Sequence, residues 1–482
     1  MALMSRRSSR CLSVADKLRK VLPEAVTVSV GDSILDLHSR DLGPYRHRPD
    51  VVVFARRPED VAATVNFAAA EVVPVVPYGA GTSNGGLAIP IKGGISLDLN
   101  GMDDILDISP RDFTATVRPG VTRKRLNRAL AEFGLFFPVD PGANASIGGM
   151  CATNASGTTT IRYGSVRGNV RSLEVVVGDG SLIRAGVKAR KSSAGYDLVN
   201  LFVGSEGTLG VITEITLRLY PIPEQTVSAR AVFRDVSSAC RAVVGLVGAG
   251  VAVSRAELLD GPTLALINEY QGTRYSERPT LFIEIAGASS AVPKELDECR
   301  AACTGEGAIE FEVEIDPTAQ ARLWKARHEF AHALIPRHRR KAIVGTDICV
   351  PISELPGAVA HAREEVEKRG IDAVLVAHAG DGNYHLACMI DREDPKDSEE
   401  FNALYETLVD YAIVRGGTCS GEHGIGIRKI PFLERQHPDL IPWMRAIKAL
   451  FDPQGIMNPG KVLAQPGLCT DQLPSAEPGV EP

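Results

Sequence analysis

No apolar run in this chain of 482 residues reaches the roughly 20 residues that a membrane-spanning helix needs. It also lacks a CxxC pair. Of its nine cysteines, the only close pair is Cys299 and Cys303, four residues apart in a segment with helical periodicity. Cysteines so spaced read as reduced and buried, as in a cytosol-like compartment. There is no excess of basic charge: 53 Lys and Arg stand against 59 Asp and Glu, which argues against a general nucleic-acid binder. No internal repeat and no low-complexity core appears. Histidine is absent between His47 and His328, so the first two thirds of the chain offer almost no imidazole for catalysis or covalent attachment.

What the chain has in quantity is glycine, 46 residues of it, and the glycines cluster. The length predicts two or three domains at about 150 residues each. Residues 50–78 read strand, helix, strand, with Pro58 and Glu59 suited to a helix start. From Gly79 to Leu219, short β-branched runs alternate with Gly-rich loops around one clear helix, RKRLNRALAEFG. That is an α+β pattern without regular βα alternation. PIPEQ at 221–225 reads as a linker. Beyond it, strands and helices follow in an order that resembles a ferredoxin-like sheet with helices on one face.

The first glycine cluster, VVPVVPYGAGTSNGG, invites a dinucleotide reading because Asp98 lies about 20 residues on. However, the segment after it, GGLAIPIKGGISLDL, is not helical and contains Pro90, whereas a Rossmann fingerprint opens a helix. Two further clusters follow, PVDPGANASIGGMCATNASGTTTIRYGSVRGNV and GSEGTLGVIT. Small residues let backbone N–H groups approach phosphate closely, and Ser and Thr add donors. Three such loops suit a long ligand with a pyrophosphate centre and two ring systems.

The second half carries VLVAHAGDGNYHLACMI. Asp381-Gly382 suits a two-residue hairpin turn, and both flanks read as strands. Folded about that turn, His378 faces His385 across the hairpin on one face. Such a pair can grip a divalent metal or serve as two ordinary hydrogen-bonded histidines; spacing alone leaves both readings open.

Six stretches together, PYGAGTSNGG, PGANASIGGMCATNASG, GSEGTLGVIT, HAGDGNYH, SGEHGIG and FDPQGIMNPGK, carry a specific likeness. The chain resembles the vanillyl-alcohol oxidase / p-cresol methylhydroxylase flavoproteins. Within them it is most similar to the branch of FAD-linked D-lactate dehydrogenases, D-2-hydroxyglutarate dehydrogenases and glycolate oxidase large subunits. The likeness spans about residues 46 to 463. It implies an FAD-binding domain of the p-cresol methylhydroxylase type over 46–224 and a substrate and metal domain over 225–463, whose C-terminal helical segment returns to the flavin. Residues 1–45 would form an N-terminal extension with a helix, and 464–482 a disordered tail.

Carried over residue by residue, the resemblance assigns Pro77, Gly79, Gly81, Thr82 and Ser83 to the FAD pyrophosphate. Asp140, Pro141, Ser146, Gly148, Gly149 and Asn154 would line the middle of the cofactor and its isoalloxazine edge. Ile212 would contact the adenosine side, and Asn458 would reach the flavin. With no histidine in the first loop, the FAD would be bound non-covalently. His378, His385 and Glu422 would be the ligands of a Zn or Mn ion, and His423 the base. Arg327 would take the substrate carboxylate, and Asp347 would sit near the metal. His328 and His332 share a helix at i, i+4 but lack the H-E-x-x-H order, so they are expected in a solvated or core role.

The resemblance implies oxidation of a D-2-hydroxy acid to the 2-oxo acid. The hydroxyl proton would go to His423 and the hydride to flavin N5. The 2-hydroxyglutarate branch carries a Lys two residues before the Asp of this region, where this chain has Gly345; Lys341 is the nearest cation. That favours a monocarboxylate such as D-lactate. The alternatives are a glycolate oxidase catalytic subunit, a D-2-hydroxyglutarate dehydrogenase and, remotely, a non-catalytic flavin-binding subunit or a zinc hydrolase on a dead flavin fold. Lacking a cysteine cluster of the Fe–S type, the chain would pass electrons to cytochrome c, quinone, electron-transfer flavoprotein or oxygen. A homodimer is compatible with all of this. The Ser- and Arg-rich start, MALMSRRSSRCLSVADKLRK, suits a mitochondrial leader in a eukaryote or a frayed start in a bacterial cytoplasm.

Overall fold

A computed structural model describes residues 13–337, 341–391 and 393–465. The leader expected at the N-terminus falls largely outside these residues, as does most of the tail beyond 463. The chain divides into two compact units. The first comprises Met1–Ala155, Ser165–Ile222 and Glu422–Pro482, and the second Ser156–Gly164 and Pro223–Gly421. The chain thus divides differently from the expected 46–224 and 225–463. Residues from Glu422 on fold with the first unit because Val75 and Asn458 exchange backbone hydrogen bonds with the segment there: Val75 N–H donates to the Ile456 carbonyl at 2.8 Å, and Asn458 N–H to the Val75 carbonyl at 2.8 Å. Residues 156–164 fold with the second unit, where Arg162 Nη1 donates to the carbonyls of Ala252 and Ala286.

In the first unit, β1 (Thr27–Ser29), β2 (Val51–Phe54), β3 (Val75–Tyr78) and β4 (Ile95–Asp98) form a sheet in the order β1-β2-β4-β3. Helix Pro58–Glu71 joins β2 to β3, with Pro58 in its first turn beside the acids Glu59 and Asp60. β4 lies between β2 and β3 and runs parallel to both. Val51, Val52 and Val53 are all fully buried, so both faces of this sheet are covered, as parallel strands require. The second sheet is antiparallel: β5 (Ile105–Ser109), β6 (Thr114–Val117), β8 (Val170–Val176), β9 (Leu182–Gly186) and β10 (Val211–Arg218), in the order β5-β6-β10-β8-β9. A short pair, β7 (Leu135–Phe136) with β11 (Tyr220–Pro221), stands apart from it.

The second unit is built on one mixed-length sheet. Its strands are β12 (Gln225–Val232), β13 (Val253–Leu259), β14 (Thr280–Gly287), β15 (Glu310–Glu314), β16 (Ala342–Gly345), β17 (Ile348–Cys349), β18 (Ala373–His378) and β19 (Asn383–Ile390). The order is β15-β12-β14-β13-β18-β19-β16, with β17 paired to β19. The first four strands take the 4-1-3-2 order of a ferredoxin-like sheet, as the strand and helix sequence suggested. The hairpin β18-β19 extends it beyond β13. Helices on one face only do not describe it: Leu281, Phe282 and Ile283 are consecutive and all fully buried, so both faces are covered. Helices Gly261–Gln271 and Pro317–His328 pack over the face that carries Leu259, Phe282 and Val376.

Candidate functional site

The glycine loops of the first unit are held against one another by close backbone approach. β3 ends at Pro77-Tyr78 and runs into Gly79. A Cβ at Gly79 would lie 2.5 Å from Ser146 Oγ, and one at Gly148 2.5 Å from Pro119 Cβ. Gly81 has φ +66 and would drive a Cβ into Tyr78 Oη, so glycine is demanded there by both space and conformation. Ser146 caps helix Ile147–Thr153 by accepting from Gly149 N–H, and Asp140 and Pro141 stand just upstream. Asn154 ends that helix in the left-handed region, its Oδ1 accepting from Ser165 Oγ and Arg167 N–H. Gly207 of the third loop approaches Pro77, and Ile212, in β10, is buried in the core.

Two buried acids that sequence reasoning passed over organise these loops. Asp41 accepts from Ser83 Oγ and from the N–H groups of Gly43 and Gly86. Burial raises its carboxyl against those bonds. Glu206, at φ 54, accepts from Ile425 N–H at 2.6 Å and Gly426 N–H at 2.8 Å. It therefore pins the turn that carries Glu422 and His423, whose Oε1 and Nε2 lie 3.4 Å apart. Asn84 Nδ2 lies 3.4 Å from His423 Nδ1. Asn458 Nδ2 donates to the carbonyls of Leu87 and Glu206, which ties the MNPGK segment to the first and third loops. Lys461, fully enclosed, donates to Ile89 O and Asn458 Oδ1; burial lowers it to about 7 against the pull of Glu206 and Asp41. Asp98, the candidate ribose acid, is spent internally on His38 Nε2 at 2.9 Å and on Asn100 N–H, in keeping with the rejection of a Rossmann site.

In the second unit the histidine hairpin forms, with a different register. Its turn is a 3-10 stretch, Ala379–Asp381, followed by Gly382 at φ 76, rather than a two-residue turn. The register pairs His378 with Asn383 and Val376 with His385. The histidines are therefore diagonal neighbours rather than directly opposed. The shift spans two positions, so both stay on one face, with ring centroids 5.5 Å apart. Each ring is fixed through Nδ1. His385 Nδ1 lies 3.0 Å from the Thr346 carbonyl, and His378 Nδ1 lies 2.7 Å from Glu257 Oε1. A carbonyl or carboxylate oxygen can only accept, so Nδ1 carries the proton and Nε2 the lone pair in each neutral ring. That is the donor chemistry a divalent metal requires.

Glu257 is directly opposite His378 across β13 and β18 and is fully buried. Its Oε2 accepts from Arg327 Nε at 2.7 Å and faces Arg327 Nη2 at 2.6 Å. Burial pushes the Glu257 carboxyl up, but His378 and then Arg327 outweigh it and hold the group below the usual carboxylate range. Arg327, near the end of helix Pro317–His328, thus has its Nε and Nη2 committed to Glu257. A substrate carboxylate, its expected partner, would meet the remaining edge. The signal for Glu257 was a single acid in the apolar strand VSRAELL. Asp347 is buried and accepts from Asn383 Nδ2, Ser420 Oγ and Gly421 N–H, each at 3.0 Å. Gly421 is the residue immediately before Glu422. Gly345 closes β16, and Lys341 is exposed. His328 and His332 are exposed, in keeping with a solvated role.

This combination of two glycine-loop sheets and a ferredoxin-like unit defines a flavoprotein class. Residues 49–186 match the family described as FAD binding domain, and residues 222–462 match FAD linked oxidases, C-terminal domain. The chain belongs to the FAD-linked oxidases and binds FAD. More particularly, it is 41% identical over 450 residues to a Danio rerio protein named "Probable D-lactate dehydrogenase, mitochondrial", covering 92% of this chain and 90% of that one. It is 35% identical over 435 residues to the Bacillus subtilis "Glycolate oxidase subunit GlcD", covering 89% and 92%. A solved structure of p-cresol methylhydroxylase with substrate bound aligns with a TM-score of 0.74 at 18% identity, over 94% of this chain and 96% of that one, a likeness of fold.

Proposed function

We propose that the chain oxidises a D-2-hydroxy acid, D-lactate foremost, to the 2-oxo acid with FAD and a divalent metal, Zn or Mn. The observation that carries the metal part is the pair His378 and His385, on one sheet face with ring centroids 5.5 Å apart and each Nδ1 held by an oxygen acceptor, which leaves Nε2 as the lone-pair nitrogen of each neutral ring. Glu422 would complete the ligand set; chain continuity supports it, because Gly421 is anchored to Asp347. When bound, the metal would supply a Lewis acid for the substrate hydroxyl and the flavin a hydride acceptor. His423 takes the hydroxyl proton, for which the Glu206 anchor of its turn provides a fixed base. Arg327 orients the substrate carboxylate, and its planar fork suits that task. Pro77, Gly79, Gly81, Thr82, Ser83, Asp140, Pro141, Ser146, Gly148, Gly149, Asn154, Ile212 and Asn458 hold the FAD.

Gly345 stands where the 2-hydroxyglutarate branch places a Lys, which favours a monocarboxylate. Electrons then leave to an external acceptor such as a cytochrome, quinone or electron-transfer flavoprotein. The test is anaerobic bleaching of the bound flavin by a panel of D- and L-2-hydroxy acids. D-lactate should bleach fastest, and equal bleaching by L-lactate would sink the stereochemical assignment. The likeness to the glycolate oxidase subunit favours a second reading, in which glycolate is the substrate and partner subunits complete the enzyme. Faster bleaching by glycolate than by D-lactate would select it.

A further inference from the structure

We infer that Glu257, braced by Arg327, is a positioning residue that sets the tautomer and orientation of His378 and thereby the strength of the metal site. The inference rests on the ligand set proposed above. Glu257 is fully buried and spends each carboxylate oxygen on a different partner: Oε1 on His378 Nδ1 at 2.7 Å, Oε2 on Arg327 Nε and Nη2. The backbone register sets up this arrangement. Glu257 and His378 are direct cross-strand partners in β13 and β18, so their side chains leave the sheet on the same face. Helix Pro317–His328 is packed over that face through Leu323 and Trp324, which brings Arg327 down onto the carboxylate. The helix is set by its Asp316 cap, which accepts from Ala319 N–H.

The two histidines consequently differ. His385 is held by a neutral carbonyl, His378 by a carboxylate. A carboxylate behind the ring makes Nε2 the better donor and prevents the ring from flipping. Arg327 holds that carboxylate in place through Nε and Nη2. It also places the guanidinium, the expected seat of the substrate carboxylate, one carboxylate away from a metal-ligand ring. Metal strength and substrate seat thus share Glu257.

The experiment uses the full-length, FAD-bound protein stripped by chelator and titrated with Zn²⁺ against a chromophoric competitor. Flavin absorbance monitors the first unit independently. His378→Ala should abolish tight Zn²⁺ binding; if it does not, the proposed ligand set fails, whatever Glu257 does. Glu257→Gln should weaken Zn²⁺ by about 10- to 100-fold with flavin content unchanged. Wild-type affinity in Glu257→Gln would overturn the inference. Should that variant fold poorly because Arg327 loses its counter-charge, Glu257→Gln combined with Arg327→Met removes both charges, and the same weakening is expected there. A readout needing no folded Glu257 variant is the ¹⁵N-histidine spectrum of the metal-free wild type. His378, assigned by its loss in His378→Ala, should carry its proton on Nδ1. A proton on Nε2 would contradict the role given to Glu257.

Discussion

At the scale of single residues, the proposed roles separate groups that would hold cofactors from the group that would move a proton. His423→Ala should keep flavin and metal while slowing anaerobic flavin reduction by on the order of 10²–10⁴, the usual worth of a general base. Near-normal reduction in stopped flow would place the base elsewhere. His385→Ala should behave differently, losing bound metal by elemental analysis and losing turnover while the 450 nm flavin band persists. Metal analysis at the wild-type level in that variant would remove His385 from the ligand set. His423 is a candidate in the sequence because it stands in a glycine-flanked turn next to an acid, within the motif SGEHGIG that carries the family resemblance. Glu257 and Glu206 were far less legible, since a lone acid in an apolar strand or loop carries no spacing signal. Only strand pairing in the one case, and two inbound N–H groups in the other, show what they do.

At the scale of elements, the hairpin β18-β19 depends on its turn. Gly382 has φ 76, and a Cβ there would lie 2.0 Å from the Val350 carbonyl oxygen. Gly382→Val therefore meets both an unfavourable backbone region and a clash with main chain that cannot swing away. The variant should lose about 1–3 kcal/mol or more in chemical denaturation, and it should bind metal more weakly because His378 and His385 flank the turn. A Gly382→Val protein with wild-type denaturation midpoint and metal affinity would show that the turn can move without cost. The sequence correctly marked this segment as a hairpin, since Asp-Gly between two apolar runs is a strong local signal. It misplaced the register because loop length depends on what the turn packs against. Gly380 approaches Ile161, and Gly382 approaches Val350, both distant in sequence.

At the scale of the whole molecule, FAD, metal and substrate specificity are expected to be separable. The chain offers no histidine between His47 and His328, so acid or heat should release the flavin into the supernatant. Flavin that stays with the precipitate would contradict non-covalent binding. Substrate preference should follow charge. With Gly345 in place of a lysine, a distal carboxylate loses a charge-assisted contact worth roughly 1.5–3 kcal/mol, so D-lactate should exceed D-2-hydroxyglutarate by about 10- to 150-fold in kcat/KM. A ratio near one would point to another cation for the distal group.

The sequence alone determined the flavoprotein class, the α+β architecture, the strand-helix-strand opening of the first unit and the ferredoxin-like strand order of the second. The flavoprotein class rests on the resemblance of six motifs, taken together, to a known family; the other features are carried by local signals, β-branched runs and turn pairs, each readable over a dozen residues. The ligand set His378, His385 and Glu422 is proposed from the family resemblance of HAGDGNYH and SGEHGIG, motifs that the sequence shows directly. Tertiary structure decided the rest. It moved residues 156–164 and 422–463 across the expected domain boundary, because chain folding groups segments by hydrogen bonds and not by order. It placed His378 and His385 diagonally on one face. It also turned Arg327 onto Glu257, since a guanidinium buried under a helix settles on the carboxylate that strand pairing presents, and that partner lies 70 residues away in the chain.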